Sequence, residues 1–353
     1  MMEDVAELTS HSAEASSTFP WVEGKDEELL DLRICELGTA IVGSELEPRV
    51  DSLYEELSAH GIKLRPLCYL SDEWFTPVGL PVIAVPFYLA HPRLKALELH
   101  QMLEVEGGTP EWCAQLLRHE CGHAFDHAYR FSSRRKWRQL FGHPDKESTP
   151  ESYQPRPYSK SYVQHLSNWY AQAHPDEDFA ETFAVYLGMP ESDWRKRYRG
   201  WKAIEKLEYV AELIDEASRK QPAFTTGKPV SEARRSKKTL RRYYAERRRA
   251  SAEEYPDFYD ADLRKIFGRG EPGEESAAHL LRRLRRDLLA AIVRGTGQRK
   301  YTVDMLLRKF ILRCESLGLR ASKDESRLLL DLSAYLAALV TNHLHTGRFK
   351  RSV

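Results

Sequence analysis

Residues 117–126 read Leu-Arg-His-Glu-Cys-Gly-His-Ala-Phe-Asp and contain the pattern His-Glu-x-x-His. On a helix, His119 and His123 lie about one turn apart on the same face. Two imidazoles at that spacing can bind one zinc ion, with Glu120 beside the metal as a general base. A third protein ligand has to come from another part of the chain. With thirteen histidines in 353 residues, a helix that merely carries surface histidines is the competing reading of the motif taken alone.

The third ligand can be sought by exclusion. The extended pattern His-Glu-x-x-His-x-x-Gly-x-x-His fails, because Asp126 and Tyr129 stand at its glycine and last histidine. His127 is one turn past His123 but about two turns from His119, too far to close a compact tetrahedral site. Glu177 and Glu181 share a helix face with Ala180 and Ala184, and small residues let that face approach a second helix. Phe179, Phe183, Tyr186 and Leu187 fill the adjoining face. On this reading Glu177 reaches the metal, and Glu181 accepts a hydrogen bond from the free ring nitrogen of a ligating histidine. The alternative is that Glu177, Asp178 and Glu181 only favour a helix N-terminus and solvent. Asp126 returns to the His119 face two turns on, either as a supporting hydrogen-bond partner or as a surface acid. Cys121 points away from the histidines and reads as a packing residue.

These side chains need elements to carry them. Thr109-Pro110-Glu111 opens the motif helix with an N-cap, a proline at the first helical position and an acid in the first turn. That helix is predicted to run to about Phe131. His174-Pro175-Asp176 opens the Glu177 helix in the same way, and Gly188 and Pro190 close it. Upstream, helices are predicted over 26–38, 48–60 and 91–106. Strands are predicted over 62–70 and 80–90. Pro81 and Pro86 make the second an edge strand, which either pairs with extended peptide in a cleft or is an ordinary sheet edge. The proline-rich loop 143–160 is long enough to wall a cleft. An amphipathic helix follows over 194–217. Gln221 to Ser231 breaks the pattern. Beyond it, helices are predicted over 260–267, 275–294, 302–317 and 323–345, the last with a stripe of Leu328, Leu329, Leu332, Tyr335, Leu336, Leu339 and Val340.

The length allows about two domains at ~150 residues each, and 42% apolar residues supply their cores. Lys+Arg and Asp+Glu both number 53, so only local charge runs can point to partners. The clearest is 231–250, with Arg234, Arg235, Lys237, Lys238, Arg241, Arg242, Arg247, Arg248 and Arg249. Interleaved Tyr243 and Tyr244 would suit nucleic acid there; a solvated helix face paired with acids is the other reading. Five cysteines without a Cys-x-x-Cys pair argue for a reducing compartment. The acidic N-terminal stretch lacks the marks of a signal peptide, and no apolar window reaches ~18 residues. A cytoplasmic protein without a membrane span is therefore expected.

The two motifs together resemble a known group. His119-Glu120-Cys121-Gly122-His123-Ala124-Phe125-Asp126, followed by His174-Pro175-Asp176-Glu177-Asp178-Phe179-Ala180-Glu181-Thr182-Phe183-Ala184-Val185-Tyr186-Leu187, is similar to the gluzincin metallopeptidases. It resembles most the bacterial zinc-binding metallopeptidases whose second motif reads HP-x-EDWAETWA-x-YL, and more distantly the anthrax lethal factor and Pro-Pro endopeptidase group. The likeness covers roughly residues 25–220. It implies an α+β fold, with a zincin-like catalytic domain over 25–220 that holds a small sheet and the His-Glu-x-x-His helix. A flexible tail over 1–24 would precede it and a mainly α-helical domain of unknown role over 221–353 would follow. It implies one Zn2+ ion on His119, His123 and Glu177, with Glu120 as general base and Glu181 in support. A tyrosine seven residues before the ligand glutamate helps hold the oxyanion in that group. Tyr170 matches it, with Tyr158 and Tyr162 as competitors on the preceding loop. The expected function is zinc-dependent hydrolysis of peptide or protein substrates. Two other readings compete: a nucleic-acid-associated protease of the Spartan type recruited through 231–250, although those enzymes use a third histidine, and a non-catalytic metal-binding interaction protein.

Overall fold

The computed structural model describes residues 19–102, 104–144, 156, 158–166, 169–250, 259–268, 274–321 and 324–346. Residues 1–18 of the tail expected over 1–24, and most of the proline-rich loop (145–155 and 157), lie outside the described residues. The chain is mostly helical with one small parallel sheet, compatible with the α+β class. It divides into two compact units. One gathers the described residues of Met1–Gln101, Val105–Arg130 and Ile214–Arg247; the other gathers Met102–Glu104, Phe131–Leu213 and Arg248–Val353.

In the first unit the order is α1 (Asp26–Asp31), α2 (Glu47–Ala59), β1 (Leu67–Ser71), β2 (Val82–Pro86), α3 (Pro92–Met102), α4 (Pro110–Tyr129) and later α9 (Leu240–Ala250). The helix expected over 26–38 stops at Asp31, and only a 3-10 turn follows at Ile34–Glu36. Long-range pairing takes the backbone groups that would have continued it. Leu240 N–H bonds to Leu32 C=O, Ile34 N–H to Lys238 C=O and Cys35 N–H to Ser236 C=O. Residues 19–24 pack rather than trail: Trp21 is buried, stacks on Phe19 and donates Nε1–H to Leu37 C=O at 3.0 Å.

β1 and β2 pair in parallel, with Tyr69 opposite Ala84. Residues 62–66 keep the alternation of exposed and buried positions expected of a strand, but the ladder begins only at Leu67, after Pro66. β2 is buried throughout. Its middle is not the free edge that the prolines predict. Ala84 also bridges to Phe75, its N–H bonding to Phe75 C=O at 2.9 Å. The prolines stand just before the strand and at its last residue, where a missing donor leaves the interior ladder whole.

Residues 221–240 run along this unit. Ala223 and Phe224 N–H both bond to Ala128 C=O, Tyr69 Oη donates to Val230 C=O, and Ser71 Oγ donates to Ser231 C=O. The basic run continues into α9, and here the nucleic-acid expectation loses its aromatic half. Tyr243 and Tyr244 are 3% and 0% exposed, so neither can stack on a base. The reason is amphipathicity: the two rings form the inward stripe of α9, with Tyr243 edge-on to Phe87. Many of the charges meet acids. Arg241 pairs with Asp31 and Glu27, Lys238 and Arg242 with Glu246, Arg234 with Glu232, and Arg247 with the buried Glu98.

The second unit holds α5 (Arg135–Leu140), α6 (Pro175–Gly188), α7 (Glu191–Arg197), most of α8 (Ala203–Arg219), α10 (Asp260–Ile266), α11 (Ala277–Thr296), α12 (Lys300–Ser316) and α13 (Glu325–Thr346). The single helix expected over 194–217 is two. Gly200, at φ +74, makes the turn between α7 and α8, a conformation that costs glycine little. Trp194, Tyr198, Ala203 and Leu207 close one cluster with Val163 and Val185. α10 to α13 share a separate core. In it Leu328, Leu332, Leu336, Leu339 and Val340 are the buried stripe that the sequence places on α13. Among the described residues, no helix is long and apolar enough to cross a membrane.

Candidate metal centre

α4 begins as its sequence dictates. Thr109 Oγ1 accepts the Trp112 N–H at 3.2 Å, and Pro110 takes the first helical position, where its missing N–H costs nothing. It ends at Tyr129, two residues short of expectation, because Arg130 turns left-handed at φ 57 and its guanidinium lies over the Phe224 ring. α4 is fastened to α2 by a forked ion pair, Arg118 Nε and Nη2 to the two carboxylate oxygens of Glu56 at 2.7 and 2.5 Å. A planar guanidinium on a carboxylate fixes the pairing angle as well as the distance. Cys121 is fully buried, and burial pushes its thiol well above the usual range, as befits a packing residue and not a thiolate.

The opposite side of that segment carries the histidines. His119 is buried, His123 half-buried, and their Nε2 atoms stand 3.2 Å apart. Two nitrogens on one tetrahedral zinc ion stand about 3.3 Å apart when each is ~2.0–2.1 Å from the metal. The pair therefore already has the separation that a shared ion requires. Glu120 is buried beside them, and its backbone carbonyl accepts the Thr76 hydroxyl at 3.0 Å. Asp126 is buried two turns beyond His119. His127 faces another way: its Nδ1 lies 3.3 Å from Leu80 C=O.

α6 starts on a cap of its own. His174 Nδ1 accepts the Asp176 N–H at 3.2 Å and Pro175 opens the helix. Pro175 fits against Gly142, where an added Cβ would come within 3.1 Å of the proline ring. Glu177 follows in the first turn, half-buried. Asp178 and Glu181 are both buried. Glu181 Oε2 accepts the Leu166 N–H at 2.9 Å, so it holds the preceding loop, a task that the sequence does not announce. Asp178 accepts Lys206 Nζ at 2.5 Å. Burial raises its carboxyl above the ordinary range, with Lys206 opposing that shift. Lys206 is a residue that sequence reasoning missed. The signal was present, since Lys206 falls on the apolar stripe of α8 with Ala203, Val210 and Leu213, where a charge needs a buried partner.

The three tyrosines differ. Tyr158 is 81% exposed. Tyr162 is half-buried, with Lys206 Nζ over its ring at 4.3 Å. Tyr170 begins a 3-10 turn, Tyr170–Gln172, and is 38% exposed.

His119, His123 and Glu177 come together. Each offers one ligand atom, and these atoms all lie within 4.8 Å of one another; no other such group of histidines, cysteines and carboxylates occurs among the described residues. Two imidazoles and one carboxylate are ligand types that zinc accepts. The group could hold a metal ion.

Residues 115–225 match the family described as "Putative zinc-binding metallo-peptidase". The matched stretch includes both histidines, Glu120, Tyr170, Glu177, Glu181 and Lys206. Comparison of the chain with curated proteins and with solved structures gives no match. A zinc-binding peptidase is the class that the matched segment supports.

Proposed function

We propose that this chain hydrolyses peptide bonds with one zinc ion held by His119, His123 and Glu177. The observation that carries the reading is the convergence of these three side chains within the family-matched segment. When bound in such a site, zinc lowers the pKa of its water to about 7 and polarises a carbonyl. The remaining work falls to side chains. The Glu120 carboxylate takes the proton from the attacking water and hands it to the departing amine, a task for a buried carboxylate next to the reacting atoms. Tyr170 supplies an O–H to the oxygen on which negative charge develops. It is favoured over Tyr162, whose ring is engaged by Lys206, and over Tyr158, which stands out in solvent. Asp126 supports the histidine face from within α4.

The test is metal dependence. The protein is expected to contain close to one zinc per chain, to cleave members of a peptide library, to lose that activity on chelation and to regain it with zinc. Bound zinc with no cleavage of any peptide would turn the reading to a metal-binding interaction protein. No zinc uptake would remove both.

Tyr170→Phe is expected to lower kcat by about 10²-fold, the effect of removing one donor to an oxyanion, with KM and zinc content near wild type. Steady-state kinetics on a cleaved peptide checks it. An equal loss in Tyr162→Phe with none in Tyr170→Phe would reassign the role.

A further inference from the structure

Glu177 sits in the first turn of α6, where backbone N–H groups lack partners inside the helix. A ligand on such a turn is only as well placed as the turn itself. The residue after it, Asp178, has 1% of its side chain exposed and accepts a hydrogen bond from Lys206 Nζ at 2.5 Å; the Lys206 side chain is 7% exposed. The ammonium has three N–H groups and three things to meet. Besides Asp178 it donates to Ser161 C=O at 2.8 Å and lies 4.3 Å from the centre of the Tyr162 ring. The same loop is held again at Leu166 by Glu181, one turn along α6. One buried cation therefore joins the first turn of α6, the body of α8 and the loop 159–166.

Stability alone does not account for this arrangement. Taking both charges out of water costs about as much as their attraction returns, and apolar pairs of similar volume often hold helices together as well or better. What an ion pair adds is direction, since Asp178 can meet Lys206 at only one rotation of α6 about its axis. That rotation also aims Glu177, the adjacent residue. We propose that Lys206 is a positioning residue for the metal centre, acting through Asp178 to set the direction of the Glu177 carboxylate. The proposal rests on the assignment of Glu177 as a ligand.

The test compares full-length wild type with Lys206→Met and with the double variant Asp178→Leu/Lys206→Met. The double variant replaces the ion pair by an apolar one. Three quantities are read: zinc affinity by competition with a chromogenic chelator, kcat and KM on a cleaved peptide, and the melting temperature of the zinc-free protein. The double variant is expected to melt at or above wild type, yet to bind zinc about 10–100-fold more weakly, the loss typical of a removed supporting residue. Its kcat should fall while KM changes little. Lys206→Met should show the same weakened binding. Wild-type zinc affinity and kcat in the double variant would overturn the proposal and leave the pair a structural clasp. The wild-type arm is read first and alone: if wild type takes up no zinc, the ligand assignment fails and the proposal falls with it. A loss confined to the variants bears on Lys206 only.

Discussion

Glu120→Gln is expected to reduce peptide hydrolysis by about 10²–10⁴-fold, the range a positioned general base contributes, with zinc content unchanged. Glutamine keeps the size of the side chain and one accepting oxygen, turns the other end into a donor, and cannot take a proton at neutral pH. Glu120 is buried within α4, whose cap, whose forked Arg118–Glu56 pair and whose Cys121 packing do not involve its carboxylate. The exchange should therefore leave the helix and the histidine pair in place. Metal analysis beside single-turnover cleavage decides the matter. Full activity with bound zinc would refute the role given to Glu120. Loss of zinc together with activity would show that the residue acts on the metal centre and not on the proton.

Glu177→Ala is expected to lower zinc affinity by more than about 100-fold, beyond what supporting residues alone command, and to bring activity to background. The alanine variant leaves His119 and His123, whose nitrogens keep their 3.2 Å separation within a single helix. Two histidines on one turn still bind zinc weakly, so the variant should load at high zinc concentration and release the ion on mild chelation. Glu181→Ala offers the contrast. Glu181 holds the Leu166 backbone, so its loss should loosen the loop 159–166 and cost less in affinity. Equal zinc binding in Glu177→Ala and wild type would send the search for the third ligand elsewhere.

Much of the local architecture was legible because it depends on short-range chemistry. Thr109-Pro110-Glu111 and His174-Pro175-Asp176 open helices by capping rules that need no tertiary partner, and both helices start where those rules place them. The stripe on α13 was legible for a similar reason, since helical period and apolar spacing are properties of the segment alone. Failures came where distant backbone competed for the same groups. Leu32, Ile34 and Cys35 are helical by pattern but bond to residues 236–240, over 200 positions away, so the first helix ends early. The basic run with the α9 tyrosines admitted two readings because composition cannot say which face turns inward; Phe87 and Glu98 decide for the face paired with acids.

The candidate site divides along the same line. The spacing of His119 and His123, and the carboxylate between them, are set by the helix period, and their pairing follows from four residues of sequence. Glu177 could be nominated from its neighbours, but only the fold brings its carboxylate within 4.8 Å of both imidazoles, since residues over fifty positions apart meet only through tertiary packing. Spacing favours Tyr170 over Tyr158 and Tyr162, and the fold gives the three different surroundings: Tyr158 is 81% exposed, Tyr162 carries Lys206 over its ring, and Tyr170 is 38% exposed. The partner of Lys206 belongs to tertiary structure. A lysine on an apolar stripe signals that a buried partner exists, and only the packing of α8 against α6 names it as Asp178.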